Sequence, residues 1–221
     1  HHQSRNGWRF DHAAQDGRGP DQTLGRAGEN SWNALGNLVN LCTSSGVVKP
    51  LQNILSEVNV AISRDDVLAW IRNFAQVIEE NNVYLTDLDR EIGDADHGAN
   101  MNRGFKAVMT KLPTLETGDI ASILKGVGMT LLSSVGGASG PLYSTVFMQL
   151  GKAFAGKEQL ELADWYAGWE SAEQGVQMRG KAVPGEKTMV DAMQPALDAL
   201  KEAVAQNLPI GEGLRKSADA A

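Results

Sequence analysis

Reactive sulfur is scarce in this chain: Cys42 is the one cysteine among 221 residues. A single thiol permits no internal disulfide and fits a reducing compartment, and no His-Asn partner near Cys42 marks it as a nucleophile. Long apolar runs are missing as well. No stretch approaches the roughly 18 residues that a membrane-spanning helix needs, and the N-terminus lacks the basic-then-apolar pattern of an export signal, so a soluble, cytoplasmic protein is expected. Positive charge is not in excess. With 20 Lys and Arg against 27 Asp and Glu the formal net charge is −7, whereas phosphate backbones reward clustered cations, so a nucleic-acid role is disfavoured. Finally, no strand-like alternation of apolar and polar residues is visible.

What is present divides the chain in two. Residues 1–57 are rich in Gly, Asn, Ser, Gln and Arg, with Trp8, Phe10 and Trp32 scattered without period, and are expected to be an extension that does not fold alone. Leu51, Ile54 and Val58 are spaced for a short lead-in helix. Residues 58–221 read as the folded domain. Ser63 followed by Asp66 is a capping signal, after which Val67, Leu68, Ile71, Phe74, Ala75 and Ile78 recur at helical spacing. A second helix is expected from Asn100 through Lys111, stopping before Pro113, and a third carries Ile120, Ile123, Leu124, Val127 and Leu131 on one face. Pro141, tolerated in a first turn, opens a helix with Val146, Phe147, Leu150 and Phe154; two more are expected over about 161–179 and 188–206, the latter kinked at Pro195. The fold class is therefore all-α.

Leu88 to Gly104 is the chemically dense stretch: Asp89, Asp94 and Asp96, His97, Asn100, Asn102 and three glycines. Carboxylates this close repel one another unless a cation lies among them, and hard oxygen donors suit Mg²⁺ or Ca²⁺ rather than zinc or copper. A Ca²⁺ loop of the EF-hand type wants Gly at its sixth position and Glu at its twelfth. Counting from Asp94 puts Ala99 and Phe105 there, and counting from Asp89 puts Asp94 and Asn100 there, so neither register fits. That leaves Mg²⁺, which takes few carboxylates and completes its shell with water and phosphate oxygens; a phosphate ligand is implied. Gly93 and Gly98 are expected to let the backbone turn and aim Asp94 and Asp96 at one point, with Asp89 arriving from the end of the preceding helix. A second feature, Ser133-Ser134-Val135-Gly136-Gly137-Ala138-Ser139-Gly140, is a small-residue loop before a helix start, where free N–H groups favour an anion. It lacks the Gly-Lys-Ser/Thr of a Walker loop, and alone it fits a plain helix–helix turn equally well.

Taken with Leu85-Thr86-Asp87-Leu88-Asp89, Gly128 to Leu142, Arg179-Gly180-Lys181-Ala182 and Pro184-Gly185-Glu186-Lys187-Thr188-Met189, the dense stretch resembles the L-subunit family of dihydroxyacetone kinases, in the form linked to the sugar phosphotransferase system. The resemblance covers about Ser63 to the C-terminus. It implies an antiparallel barrel of about eight amphipathic helices with the nucleotide held by loops at one end. By the same resemblance Asp89, Asp94 and Asp96 hold a pair of Mg²⁺ ions. His97, Gly98, Ala99, Asn100, Ala138, Ser139, Gly180 and Met189 then contact a bound ADP, with Met189 against the base. The family domain runs on past the position of Ala221, so the barrel is expected to be incomplete at that end.

The Gly93-Asp94-Ala95-Asp96-His97-Gly98 wording resembles the phosphotransferase-linked subunit rather than the ATP-dependent single-chain kinases, whose loop tends to read Gly-Asp-Gly-Asp. The resemblance therefore implies a chain that keeps ADP as a cofactor. It would take a phosphoryl group from an M-type phosphohistidine protein and pass it to dihydroxyacetone held on a K subunit. Two alternatives stay open at this point: the nucleotide domain of an ATP-dependent kinase, and a non-catalytic regulatory module of the same fold.

Overall fold

The computed structural model describes residues 61–91 and 93–221; the expected extension, Cys42 and the lead-in positions Leu51, Ile54 and Val58 lie outside the described residues. Seven helices follow one another: α1 Arg64–Arg90, α2 His97–Leu115, α3 Ile120–Ser134, α4 Ser139–Ala153, α5 Leu162–Gly180, α6 Val190–Ala205 and α7 Ile210–Ala220. The chain is all-α apart from a two-residue antiparallel ribbon, β1 (Ile62–Ser63) against β2 (Gln159–Leu160), with Ile62 opposite Leu160 and Ser63 opposite Gln159.

Local chemistry sets the starts. Asp66 N–H donates to Ser63 Oγ at 3.3 Å while the Ser63 N–H donates to Asp66 Oδ2 at 2.9 Å, a reciprocal cap that opens α1. Asp119 Oδ1 accepts the Ser122 N–H at 2.7 Å to open α3, and Asp164 Oδ2 accepts the Glu161 N–H at 3.1 Å at the start of α5. Each helix packs mainly on its neighbours in the chain, so successive helices run antiparallel. Their inward faces meet in one core with an aromatic centre: Phe74 of α1 lies edge-on to Phe105 of α2 at 4.4 Å between ring centroids, and Trp70 stacks on Phe147 of α4 at 5.6 Å. Trp165 of α5 then meets Trp70 at 5.6 Å and Phe154 at 5.9 Å.

Three expectations are corrected. The second helix does not stop before Pro113 but runs from His97 to Leu115. Pro113 is exposed and sits in the final turn, where its ring costs only the bond to the Met109 carbonyl. The ribbon went unseen because two residues cannot show a period of two. Helix α7 was not anticipated either; its Leu214, Ser217 and Ala218 are buried, on eleven residues that open with Ile210-Gly211-Glu212-Gly213. Helix α6 runs on through Pro195.

Candidate functional site

The antiparallel order brings the starts of α2, α4 and α6 to the same end of the bundle as the last turns of α1, α3 and α5. Asp89 lies in the last turn of α1, and its Oδ2 accepts the N–H groups of Asp96 at 2.9 Å and His97 at 3.2 Å. This folds the six-residue connection back over the helix end. Within the connection Ala95 takes the left-handed conformation, with a φ of 59°. Gly98 serves close approach instead: a Cβ there would lie 1.9 Å from the Asn82 carbonyl oxygen, so only glycine lets α2 start against α1.

The result is that Asp89, Asp94 and Asp96 each offer a carboxylate oxygen, and these atoms lie within 4.8 Å of one another. Asp94 is exposed and Asp89 half-buried, so the cluster faces a rim rather than the core. Three carboxylates at this spacing, with only backbone N–H groups offsetting the charge of one of them, form a donor set that fits a hard divalent cation such as Mg²⁺.

Next to this cluster, His97 Nδ1 lies 2.9 Å from Ser139 Oγ, which joins the start of α2 to the start of α4 across 42 positions of sequence. Burial pushes the His97 pKa down, while the charges of Asp89 and Asp96 push it up; the net shift is downward, which favours a neutral imidazole. Ala138, the residue before α4, is exposed, and no side chain caps α4, nor does the Asp96 side chain cap α2. The His97 N–H at the start of α2 is thus taken by Asp89 of the preceding helix, whereas the first N–H groups of α4 have no side-chain acceptor among the described residues.

The other expected contacts divide. Ala99 is exposed beside His97, whereas Gly98 and Asn100 are buried beneath it. Gly180 ends α5 near α4, where its Cβ position is 3.4 Å from Leu142. Met189 is only 6% exposed and belongs to the core cluster, so it packs inward as the residue before α6. The loop between α5 and α6 contains three left-handed residues, Lys181, Gly185 and Lys187. Asp191 ties it down by accepting the N–H groups of Gly185 and of Thr188, the latter at 2.8 Å, and these bonds hold its carboxyl below the usual range.

Two residues of this end escaped the sequence reading. Asp191 anchors the α5–α6 loop, and its signal was an acidic residue three positions after Thr188 at a helix start. Arg103 donates to the Ser134 carbonyl at 3.0 Å and to Asn100 at 2.6 Å; nothing local in the sequence links positions 103 and 134.

An acidic rim beside helix starts at one end of a helical bundle fits the class of domains that handle a phosphate-bearing ligand. The chain belongs to the DAK2 domain family, which it matches over residues 91–221. It is 44% identical over 162 residues to the ADP-binding subunit DhaL of the PEP-dependent dihydroxyacetone kinase of Escherichia coli (strain K12), covering 73% of this chain and 77% of that one. It is 45% identical over 138 residues to the ADP-binding subunit DhaL of the PTS-dependent dihydroxyacetone kinase of Lactococcus lactis subsp. lactis (strain IL1403), covering 62% and 69%. Similarity to the triokinase/FMN cyclase of Rattus norvegicus is lower, 34% over 142 residues, and spans 62% of this chain but 24% of that protein.

Proposed function

We propose that this chain is the ADP-binding, phosphoryl-transferring subunit of a PEP-dependent dihydroxyacetone kinase, with residues 58–221 as the nucleotide-binding unit. The observation that carries the reading is the meeting of Asp89, Asp94 and Asp96 within 4.8 Å beside the His97–Ser139 contact, on a chain 44% identical to a subunit of that kind. Asp89, Asp94 and Asp96 would hold Mg²⁺, two ions by the family's pattern. When bound, Mg²⁺ supplies positive charge that bridges and neutralises phosphate oxygens.

The chain's own groups do the rest. The N–H groups at the starts of α2 and α4 bind phosphate oxygens along the helix dipoles, with Gly98, Ala99 and Ala138 letting the ligand approach the backbone. A neutral His97 that accepts from Ser139 at Nδ1 keeps a proton on Nε2 and donates it to a phosphate oxygen, so it orients rather than acts as a base. Asn100 donates from its amide, Gly180 leaves room beside the nucleotide, and Met189 closes the base pocket from the core side. The sugar and the group that holds it belong to a K subunit, and the phosphoryl group comes from an M-type phosphohistidine protein; cytoplasmic location follows from these partners. No helix among the described residues is long and apolar enough to cross a membrane.

The test is reconstitution. The protein should be isolated with ADP and Mg²⁺, and should make dihydroxyacetone phosphate only with K subunit, phosphohistidine donor and phosphoenolpyruvate together. Turnover with ATP and dihydroxyacetone alone would overturn the relay in favour of a self-sufficient kinase.

A further inference from the structure

One basic side chain at the site end has contacts that the reading above leaves unused. Arg103 bridges two segments: Nε donates to the carbonyl of Ser134, the last residue of α3, at 3.0 Å, and Nη2 donates to Oδ1 of Asn100 at 2.6 Å. Asn100 is 6% exposed. A guanidinium only donates, so an amide in contact with it must present its oxygen, and the orientation of Asn100 is fixed. Its Nδ2 is then the end turned away from Arg103. That atom makes no hydrogen bond among the described residues, yet it is not sealed from solvent. Gly136 completes the arrangement, because a Cβ there would lie 3.0 Å from Asn100 Oδ1 and 3.1 Å from Arg103 Nη2. The glycine loop therefore rests directly on the Arg103–Asn100 pair.

We infer that Arg103 is a positioning residue: it turns the Asn100 amide outward and fastens the start of α2 to the Ser134–Gly136 loop, so that Asn100 Nδ2 meets a phosphate oxygen of the nucleotide. The inference rests on the ADP binding proposed above and adds to it the device that pre-orients one donor. Orientation by a charged, two-point fork is worth more than a neutral bond, and lysine does not reproduce it, having one nitrogen for two acceptors. Arg103 has N–H groups to spare after these two bonds, so direct contact with phosphate is the rival role.

The experiment measures ADP affinity calorimetrically in the presence of Mg²⁺ for the full chain and for Arg103→Ala, Arg103→Lys, Asn100→Ala and the Arg103→Ala/Asn100→Ala pair, with melting temperatures alongside. Arg103→Ala should weaken ADP by about tenfold, and Arg103→Lys should recover little of the loss. The double variant should be no worse than Asn100→Ala. Added guanidinium ion at low concentration should restore Arg103→Ala but not the double variant. Additive losses in the double variant would overturn the inference, because Arg103 would then meet the phosphate itself. So would an unchanged affinity in Arg103→Ala, or a loss that tracks the melting temperature and resists guanidinium. A wild-type chain that binds no ADP would bring down the nucleotide reading and this inference together. That result is distinct from a wild type that binds and an Arg103→Ala that binds equally, which removes the clamp alone.

Discussion

The two ends of the bundle solve the same problem in different ways. At the far end the helix starts of α1, α3 and α5 meet carboxylates or a hydroxyl of their own sequence: Ser63 with Asp66, Asp119 with Ser122, and Asp164 with Glu161. At the site end the starts of α2, α4 and α6 follow Asp96, Ala138 and Met189, none of which caps its helix with a side chain. Orphan N–H groups have to be satisfied by something. One end answers with side chains inside the capping turn. At the other, Asp89 serves α2 from the preceding helix and Thr188 Oγ1 takes the Val190 N–H of α6 at 3.3 Å, while α4 keeps its first donors without a side-chain acceptor among the described residues, at the end that carries the acidic rim. α7 stands apart at the far end, entered through Pro209 without a side-chain cap.

Substitutions can separate the ends. The largest effect should come from Asp96→Asn, which removes a ligand charge from the cluster: ADP binding supported by Mg²⁺ falls by about a hundredfold or more, while the melting temperature without metal holds or rises as repulsion eases. A loss of binding that appears only with unfolding would break the contrast. Gly98→Ala comes next. Its Cβ meets the Asn82 carbonyl, a backbone atom that no rotamer change can move, so chemical denaturation should show a loss of about 1–3 kcal/mol together with weaker ADP binding.

Ser63→Ala, at the far end, should cost about 1 kcal/mol and leave ADP affinity untouched, as thermal melts and calorimetry on one sample would show. Asp119 adds a pH dependence to the same end. Its hydrogen bond from Ser122 lowers its pKa in the folded state, so its contribution is present above the unfolded value of about 4 and is lost as pH falls through the lower folded value. Asp119→Asn should flatten the melting curve's acid dependence in that window. The smallest effect belongs to Asp191→Asn, which should speed amide exchange at Gly185 and Thr188 with little change in melting temperature.

Much of this was legible in sequence because it is local. The Ser63–Asp66 cap and the apolar spacing of α1 are read within one or two turns, and Asp89, Asp94 and Asp96 lie within eight positions, so their convergence needs only a short connection. The detail of the turn is less legible: Ala95 takes the left-handed conformation, and Gly93 and Gly98 are small for reasons of contact that only the folded chain reveals. Pro113 put the expected helix end at Lys111, four residues short of Leu115, because an exposed proline in a last turn gives up little. The His97–Ser139 and Arg103–Ser134 contacts join residues 42 and 31 positions apart, and no pattern in either segment specifies the partner. Helix α7 lacks a cap and carries two glycines in its first turn, which hides it from periodicity.

The small ribbon between Ile62–Ser63 and Gln159–Leu160 bears on how the chain folds. Each helix mostly finds its partner next along the chain, a topology of short loops and low contact order that forms quickly. The ribbon is different, closing a loop of about a hundred residues for the sake of two paired positions on each side. Its entropy cost falls only once the intervening helices have assembled and brought their ends together. Pairing of Ile62 with Leu160 is therefore a late event, a latch that sets after the staves are in place, and its amides should be the last to gain protection in a refolding experiment.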